Sequence, residues 1–142
     1  MDERLLKIMK HRLNFNDEDF KLFKKRPENL EILERAKQIA EIEIAVEVVS
    51  SKGCNSRHRV GQKFYLDGAG NLLSSKSPSA CCIFLLGNLP HFVYAIHELI
   101  YAGVEVEDIR LRFPRVGCGD VGVENCGWGH VIVEIDVHRK PS

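Results

Sequence analysis

Between positions 41 and 48 the chain reads Glu41-Ile42-Glu43-Ile44-Ala45-Val46-Glu47-Val48, with an apolar side chain at every second position through Ile42, Ile44, Val46 and Val48. Successive side chains of a strand point to opposite faces, so this alternation predicts a strand with one face buried. Upstream of Glu41 the period is 3.6, and the change of period separates a helical segment, residues 1–40, from a core of residues 41–142.

Residues 2–13 carry Leu5, Leu6, Ile8, Met9 and Leu13 at helical spacing, with Arg4, Lys7, Lys10 and Arg12 between them. Asn16 reads as an N-cap, because Asp17, Glu18 and Asp19 place negative charge in the first turn and Phe15 can pack on Phe20 as a staple. That second helix is expected to reach about Arg26. Pro27 suits the first position of a third helix, whose stripe is Leu30, Ile32, Leu33, Ala36 and Ile39.

Downstream, residues 57–67 read as a second strand through Lys63-Phe64-Tyr65-Leu66, closed by the turn Asp67-Gly68-Ala69-Gly70-Asn71, with a hairpin onto Leu72-Leu73. The run 80–86 is a buried strand or the start of a helix, since so short an apolar run has no decisive period. Pro90 opens a helix with the stripe Val93, Ile96, Leu99 and Ile100, which Gly103 ends; this is the expected main helix over the sheet. Alternation predicts further strands at 109–113 and 131–137. The expected fold is α+β in one domain: a short helical N-terminal segment, then a small, mostly antiparallel sheet covered by one main helix.

Twenty basic and twenty acidic residues cancel, and the first forty positions, with ten basic and eight acidic, differ little from the rest, so no electrostatic footprint for nucleic acid is expected. The longest apolar run, 80–86, is far short of the roughly 20 residues that cross a bilayer, and no apolar core of about 7–15 residues follows the N-terminus. A cytoplasmic protein without a membrane partner is the expectation. Five cysteines with no export signal point to reduced thiols, which admits thiolate chemistry or metal binding.

The unusual segment is Val116-Gly-Cys-Gly-Asp-Val-Gly-Val-Glu-Asn-Cys-Gly-Trp-Gly-His130, with five of the eleven glycines, Cys118, Cys126 and the only tryptophan. Glycine is entropically expensive in a regular element, and beside cysteine it lets backbone N–H groups converge on sulfur or on an anion. A tight connection with small buried cysteines is the plain alternative. Cys54-Asn55-Ser56-Arg57-His58 and Cys126-Gly127-Trp128-Gly129-His130 share a Cys-x3-His spacing, admitting a tetrahedral zinc site of two thiolates and two imidazoles. Cys54, Cys82 and Cys126, with Cys118 or a histidine as fourth ligand, admit an iron–sulfur cluster or zinc. Of the neighbours Cys81 and Cys82, strand geometry lets only one face such a site. Asp120 and Glu124 stand where an acid or base would serve a loop thiol, but an Asp in a glycine-rich turn is expected to cap N–H groups. His91 and His97, six residues apart, are not expected ligands. No nucleotide-binding motif is present; Gly117-Cys118-Gly119 has no third glycine at the required place.

The order Lys52-Gly53-Cys54, His58-Arg59-Val60-Gly61-Gln62-Lys63-Phe64, Cys82 before a helix, and a cysteine shortly ahead of 131–135 resembles a family of small cysteine-containing proteins of anaerobic prokaryotes. The resemblance spans about residues 42–137. Asp120-Val121-Gly122-Val123 and Cys126-Gly127-Trp128-Gly129 look like elements of a longer subgroup, which also has the N-terminal helical extension with Phe20, Phe23 and Pro27. The resemblance implies that Cys54, Cys82 and Cys126 occupy the family's cysteine positions, while no fixed histidine matches His130, which favours three thiolates over a mixed site. It implies no reaction.

Three functional readings follow. The first is a metal–thiolate protein, an iron–sulfur or zinc carrier or an accessory subunit of an anaerobic enzyme, with Cys54, Cys82, Cys126, Cys118 and His58 as candidate ligands. The second is a cysteine-dependent enzyme, with Cys126 or Cys118 activated by the loop's N–H groups or by His58. The third is a binding module with structural cysteines, whose short N-terminal helices dock a partner protein or a second copy in a homo-oligomer.

Overall fold

A computed structural model describes residues 2–142, apart from the side chain of Leu111. The chain divides into two compact units, the first ending at Lys37 and the second running Gln38–Ser142, so the boundary falls three residues before the one read from the change of period.

The first unit contains helices α1 (Glu3–Arg12), α2 (Asp17–Lys24) and most of α3 (Pro27–Ala40). Asp2 caps α1 by accepting from the Arg4 N–H. Asn16 and Asp19 form the reciprocal capping box of α2, satisfying two N–H groups that a helix start leaves open. The staple differs from expectation: Phe15 packs on Phe23, with ring centroids 5.6 Å apart, while Phe20 lies beneath the ammonium groups of Lys10 and Lys24. Phe20 is engaged by these two cations rather than by Phe15.

The second unit is the α+β core. Strands β1 (Ile42–Lys52), β2 (Lys63–Asp67), β3 (Val116–Gly117) and β4 (His130–Arg139) form an open antiparallel sheet in the order β2-β1-β4-β3. Val46 stands opposite Phe64 on one side and Ile135 on the other, so the alternating residues of three strands share one face. Helices α4 (Ile83–Leu86), α5 (Pro90–Tyr101) and α6 (Val106–Ile109) bring Leu85, Ile96, Ile100, Val106 and Ile109 onto that face, completing the core. Gly103, at φ +89°, ends α5 as expected; its N–H reaches Ile100 and the next N–H reaches Leu99. On the opposite face Glu43 is only 5% exposed, its carboxylate paired with Lys76 at 2.6 Å and with His138 at 3.3 Å. The Lys76 bond outweighs the cost of burial and holds this carboxyl below its ordinary value.

Two local expectations are corrected and one open alternative, at 80–86, is resolved as the start of a helix. Residues 109–113 are not a strand: α6 ends at Ile109 and a 3-10 turn follows at Arg110–Arg112. Val106 and Ile109, three apart, both enter the core, and that helical spacing wins over the alternation. The strand at 57–67 is confined to Lys63–Asp67, because Arg57 and Gly61 take positive φ in the turns before it, and its hairpin shrinks to one bridge between Leu66 and Leu72. Residues 80–82 are irregular, and helix begins at Ile83. By length and composition alone, Ile83–Tyr101 is apolar enough to cross a membrane; here it is two helices broken at Gly87, with Leu85, Ile96 and Ile100 in the core.

Every residue of the core cluster lies between Ile42 and Val137. Residues 38–142 expressed alone are therefore expected to unfold in one cooperative thermal transition with retained near-UV dichroism. A molten far-UV-only spectrum would contradict the division into units.

Candidate functional site

The register of the sheet brings distant cysteines together. The last residue of β1, Lys52, pairs with the first of β4, His130, so Cys54 emerges beside the start of β4. On the other edge Gly117 pairs with Ile132, and the next residue, Cys118, donates its N–H to the Val131 carbonyl at 2.8 Å. Helix α4 joins through the Gly119 N–H, which reaches the Phe84 carbonyl at 3.2 Å, and the Asn88 amide, which reaches the Gly117 carbonyl at 2.8 Å. The result is a cavity of about 460 Å³ on which Cys54, Ser56, His58, Cys82, Cys118 and His130 open.

Glycine makes this convergence possible. A Cβ on Gly129 would lie 2.2 Å from the Gly53 carbonyl oxygen, so the two backbones touch where neither residue carries a side chain. Gly53 itself has φ +66°, a conformation that turns the chain back toward Trp128.

Asp120 stabilises the glycine-rich loop from inside. Its Oδ1 accepts from the N–H groups of Gly122 and Trp128, each at 3.0 Å, and its Oδ2 from the Gly129 N–H at 3.0 Å. Those bonds hold its carboxyl below the ordinary 3.8. This is the capping role expected for Asp120, and it leaves no oxygen poised for acid–base work. Because the folded value is depressed, the stabilisation is present above the unfolded value and is lost as pH falls through the lower folded one. Trp128 emission should therefore hold steady down to about pH 4 and change below it, and in an Asp120→Ala variant the loop should already be loosened at pH 7. An unchanged emission in that variant would contradict the capping role.

The five cysteines separate into distinct environments. Cys82 opens on the cavity. Cys82 is the N-cap of α4, where the Leu85 N–H goes to the Cys82 carbonyl at 3.1 Å and the side chain makes no cap bond. Burial pushes its thiol up, but nearby Ser56 and the Leu85 and Phe84 N–H dipoles at the start of α4 bring it below the ordinary 9.0. Cys81 turns away, donates its thiol to the Pro78 carbonyl at 3.2 Å, and is pushed up by burial. The segment is not a strand, so the division between the neighbours comes from the turn into α4. Cys118 accepts from the Val131 N–H at 3.3 Å and lies 3.7 Å from His130 Nδ1, which also binds the Asp120 carbonyl. Cys54 packs partly against the core at the cavity wall.

Cys126 does not line this cavity. It is exposed at φ +66°, closing the 3-10 turn Val123–Asn125, and the bond from the Gly127 N–H to the Gly122 carbonyl folds that turn outward. The imidazole four residues on, His130, faces Cys118, so the second Cys-x3-His pair does not meet. His58 is 3% exposed, with Nδ1 bonded to Gln62 Oε1 at 2.9 Å and Nε2 accepting the Cys82 N–H at 3.2 Å. Both nitrogens are thereby engaged and the ring positions the Cys82 backbone. Among the described residues, no group of three or more His, Cys, Asp or Glu side chains is gathered closely enough to hold one metal ion. Ser56 escaped the sequence reading altogether, since a lone serine in a polar loop carries no pattern.

No family model, curated protein or solved structure matches the chain. The chemistry of the site therefore rests on its own residues.

Proposed function

We propose that the chain is a cysteine-dependent protein whose reactive group is the Cys82 thiolate, presented on the cavity that Cys54 and Cys118 share. One observation carries the reading: Cys82, at the N-cap of α4, opens on a cavity rather than on solvent or core; the downward direction of its thiol pKa agrees with it. The thiolate, not the thiol, is the nucleophile, so Ser56 and the Phe84 and Leu85 N–H groups raise the reactive fraction near neutral pH. The sulfur lone pair forms a bond to an electrophilic carbon or sulfur, and the leaving group departs with its own pair. Treatment with one equivalent of iodoacetamide at pH 7, followed by peptide mapping, is expected to label Cys82 first, and Ser56→Ala should slow that labelling several-fold. Uniform slow labelling of all five thiols would overturn the proposal.

A second reading is favoured by Cys54, Cys82 and Cys118 opening on one cavity, with the Val131 N–H donated to Cys118 sulfur. In it the three thiolates hold zinc or an iron–sulfur cluster, which requires the cavity walls to draw together. Metal analysis and an absorption spectrum of protein purified without oxygen test it: bound metal that protects Cys82 from alkylation supports it, and fully folded, metal-free protein that gains no protection from added zinc removes it.

A further inference from the structure

The cavity walls indicate what kind of molecule would meet Cys82. Ile83, Phe84, Leu85, Trp128 and Val131 supply apolar lining, and Phe84 and Trp128 are 70% and 77% exposed although each carries a large ring. Exposed aromatics beside a concave site are the part of a protein surface that gains most from being covered.

Charge is managed in the opposite sense. Among the described residues no lysine or arginine lines the cavity, so no cationic side chain there pairs with an anionic ligand, which would also meet the Cys82 thiolate. The one carboxylate, Asp120, has both oxygens taken by backbone N–H groups and offers no free partner to a cation. His58 is occupied at both nitrogens, and His130 Nδ1 is bound to the Asp120 carbonyl. A charged ligand would give up hydration here for a few neutral polar groups and no opposite charge, which is a net cost. A volume of about 460 Å³ lies in the range of small-molecule sites, roughly 300–1,000 Å³.

We infer that the site takes a small, uncharged molecule bearing an aromatic or branched aliphatic group, which packs between Phe84 and Trp128 while its electrophilic centre meets Cys82. This rests on the reading of Cys82 as the reactive thiolate, and the test separates the two. Full-length protein is alkylated at pH 7 with iodoacetamide, N-benzyliodoacetamide and iodoacetate, and each rate at Cys82 is divided by that of glutathione with the same reagent. In every case a sulfur–carbon bond forms as the carbon–iodine bond breaks and iodide leaves with the pair. The benzyl reagent is expected to be favoured over iodoacetamide by about tenfold or more and iodoacetate disfavoured by a similar factor, as apolar pockets discriminate. In Trp128→Ala and Phe84→Ala the benzyl-to-parent ratio should fall toward that of glutathione.

Equal normalised rates at a reactive Cys82 would overturn the ligand class while leaving the thiolate reading in place. A Cys82 that resists all three reagents removes the thiolate reading, and the ligand class is then decided by emission of Trp128, the only tryptophan. Saturable change with N-benzylacetamide but not with phenylacetate supports an uncharged ligand; change with both or with neither overturns it.

Discussion

Replacing Gly129 by alanine is expected to lower the melting temperature by roughly 10 °C and to abolish selective labelling of Cys82. The new Cβ would sit 2.2 Å from the Gly53 oxygen and 2.5 Å from its carbonyl carbon. Both are backbone atoms, so no rotamer change relieves the contact, and the end of β1 must part from the loop entering β4. Overpacking of this kind costs about 1–3 kcal/mol, at times more, and about 3 kcal/mol corresponds to roughly 10 °C in a domain of this size. The parted segments are the ones that carry Cys54 and Ser56 on one side and His130 on the other, so reactivity should fall together with stability. Gly119→Ala is the control: its Cβ would meet Phe84 atoms at 3.7–3.8 Å, an ordinary contact, and stability should change little. Equal melting temperatures for the two variants would show that the Gly53–Gly129 approach is not what closes the site.

Phe64→Ala should destabilise the second unit by about 3–5 kcal/mol, the usual cost of removing a buried aromatic side chain. Phe64 has no exposed surface and stands opposite Val46 in the sheet. Its effect should also reach the cavity, because the His58 ring packs edge-on against it at 5.0 Å between centroids and His58 Nε2 holds the Cys82 N–H. Chemical denaturation measures the first effect and peptide-mapped alkylation the second. Phe64→Leu, which keeps most of the volume, should recover much of the stability but less of the Cys82 rate, since it removes the flat contact for His58. Loss of rate strictly in proportion to loss of stability would argue against a positioning role for His58.

How much of this was legible in the sequence follows from the range of each signal. The alternation at 42–48 and 131–137 reports burial of one sheet face, and both strands stand where it points. Asn16 and Asp19 signal a helix start through bonds three residues apart, and the capping box is present. The failures at 109–113 and at Cys126 share one feature: the deciding partner is distant in sequence. Residues 109–113 alternate as well as a strand does, but Val106 and Ile109 are claimed by the core. Cys126 and His130 have ligand-like spacing, yet a glycine turn points one outward while the other faces Cys118. Cys54, Cys82, Cys118 and His58 were nominated and do meet on one cavity; what their spacing did not contain was the register that brings them there, or Ser56. The choice of Cys82 over Cys118 or Cys126 as the reactive thiol came only with the turn into α4 and the groups near its sulfur.

The measurement that bears most directly on the account is the pH dependence of alkylation at Cys82, followed by peptide mapping in chelator-treated, fully reduced protein with glutathione as internal reference. Because Ser56 and the Phe84 and Leu85 N–H groups favour the ionised sulfur, the Cys82 rate should reach half its plateau at a lower pH than glutathione, and Ser56→Ala should move that midpoint upward. A Cys82 midpoint at or above that of glutathione, unmoved by Ser56→Ala, would contradict the assignment of Cys82 as the reactive thiolate.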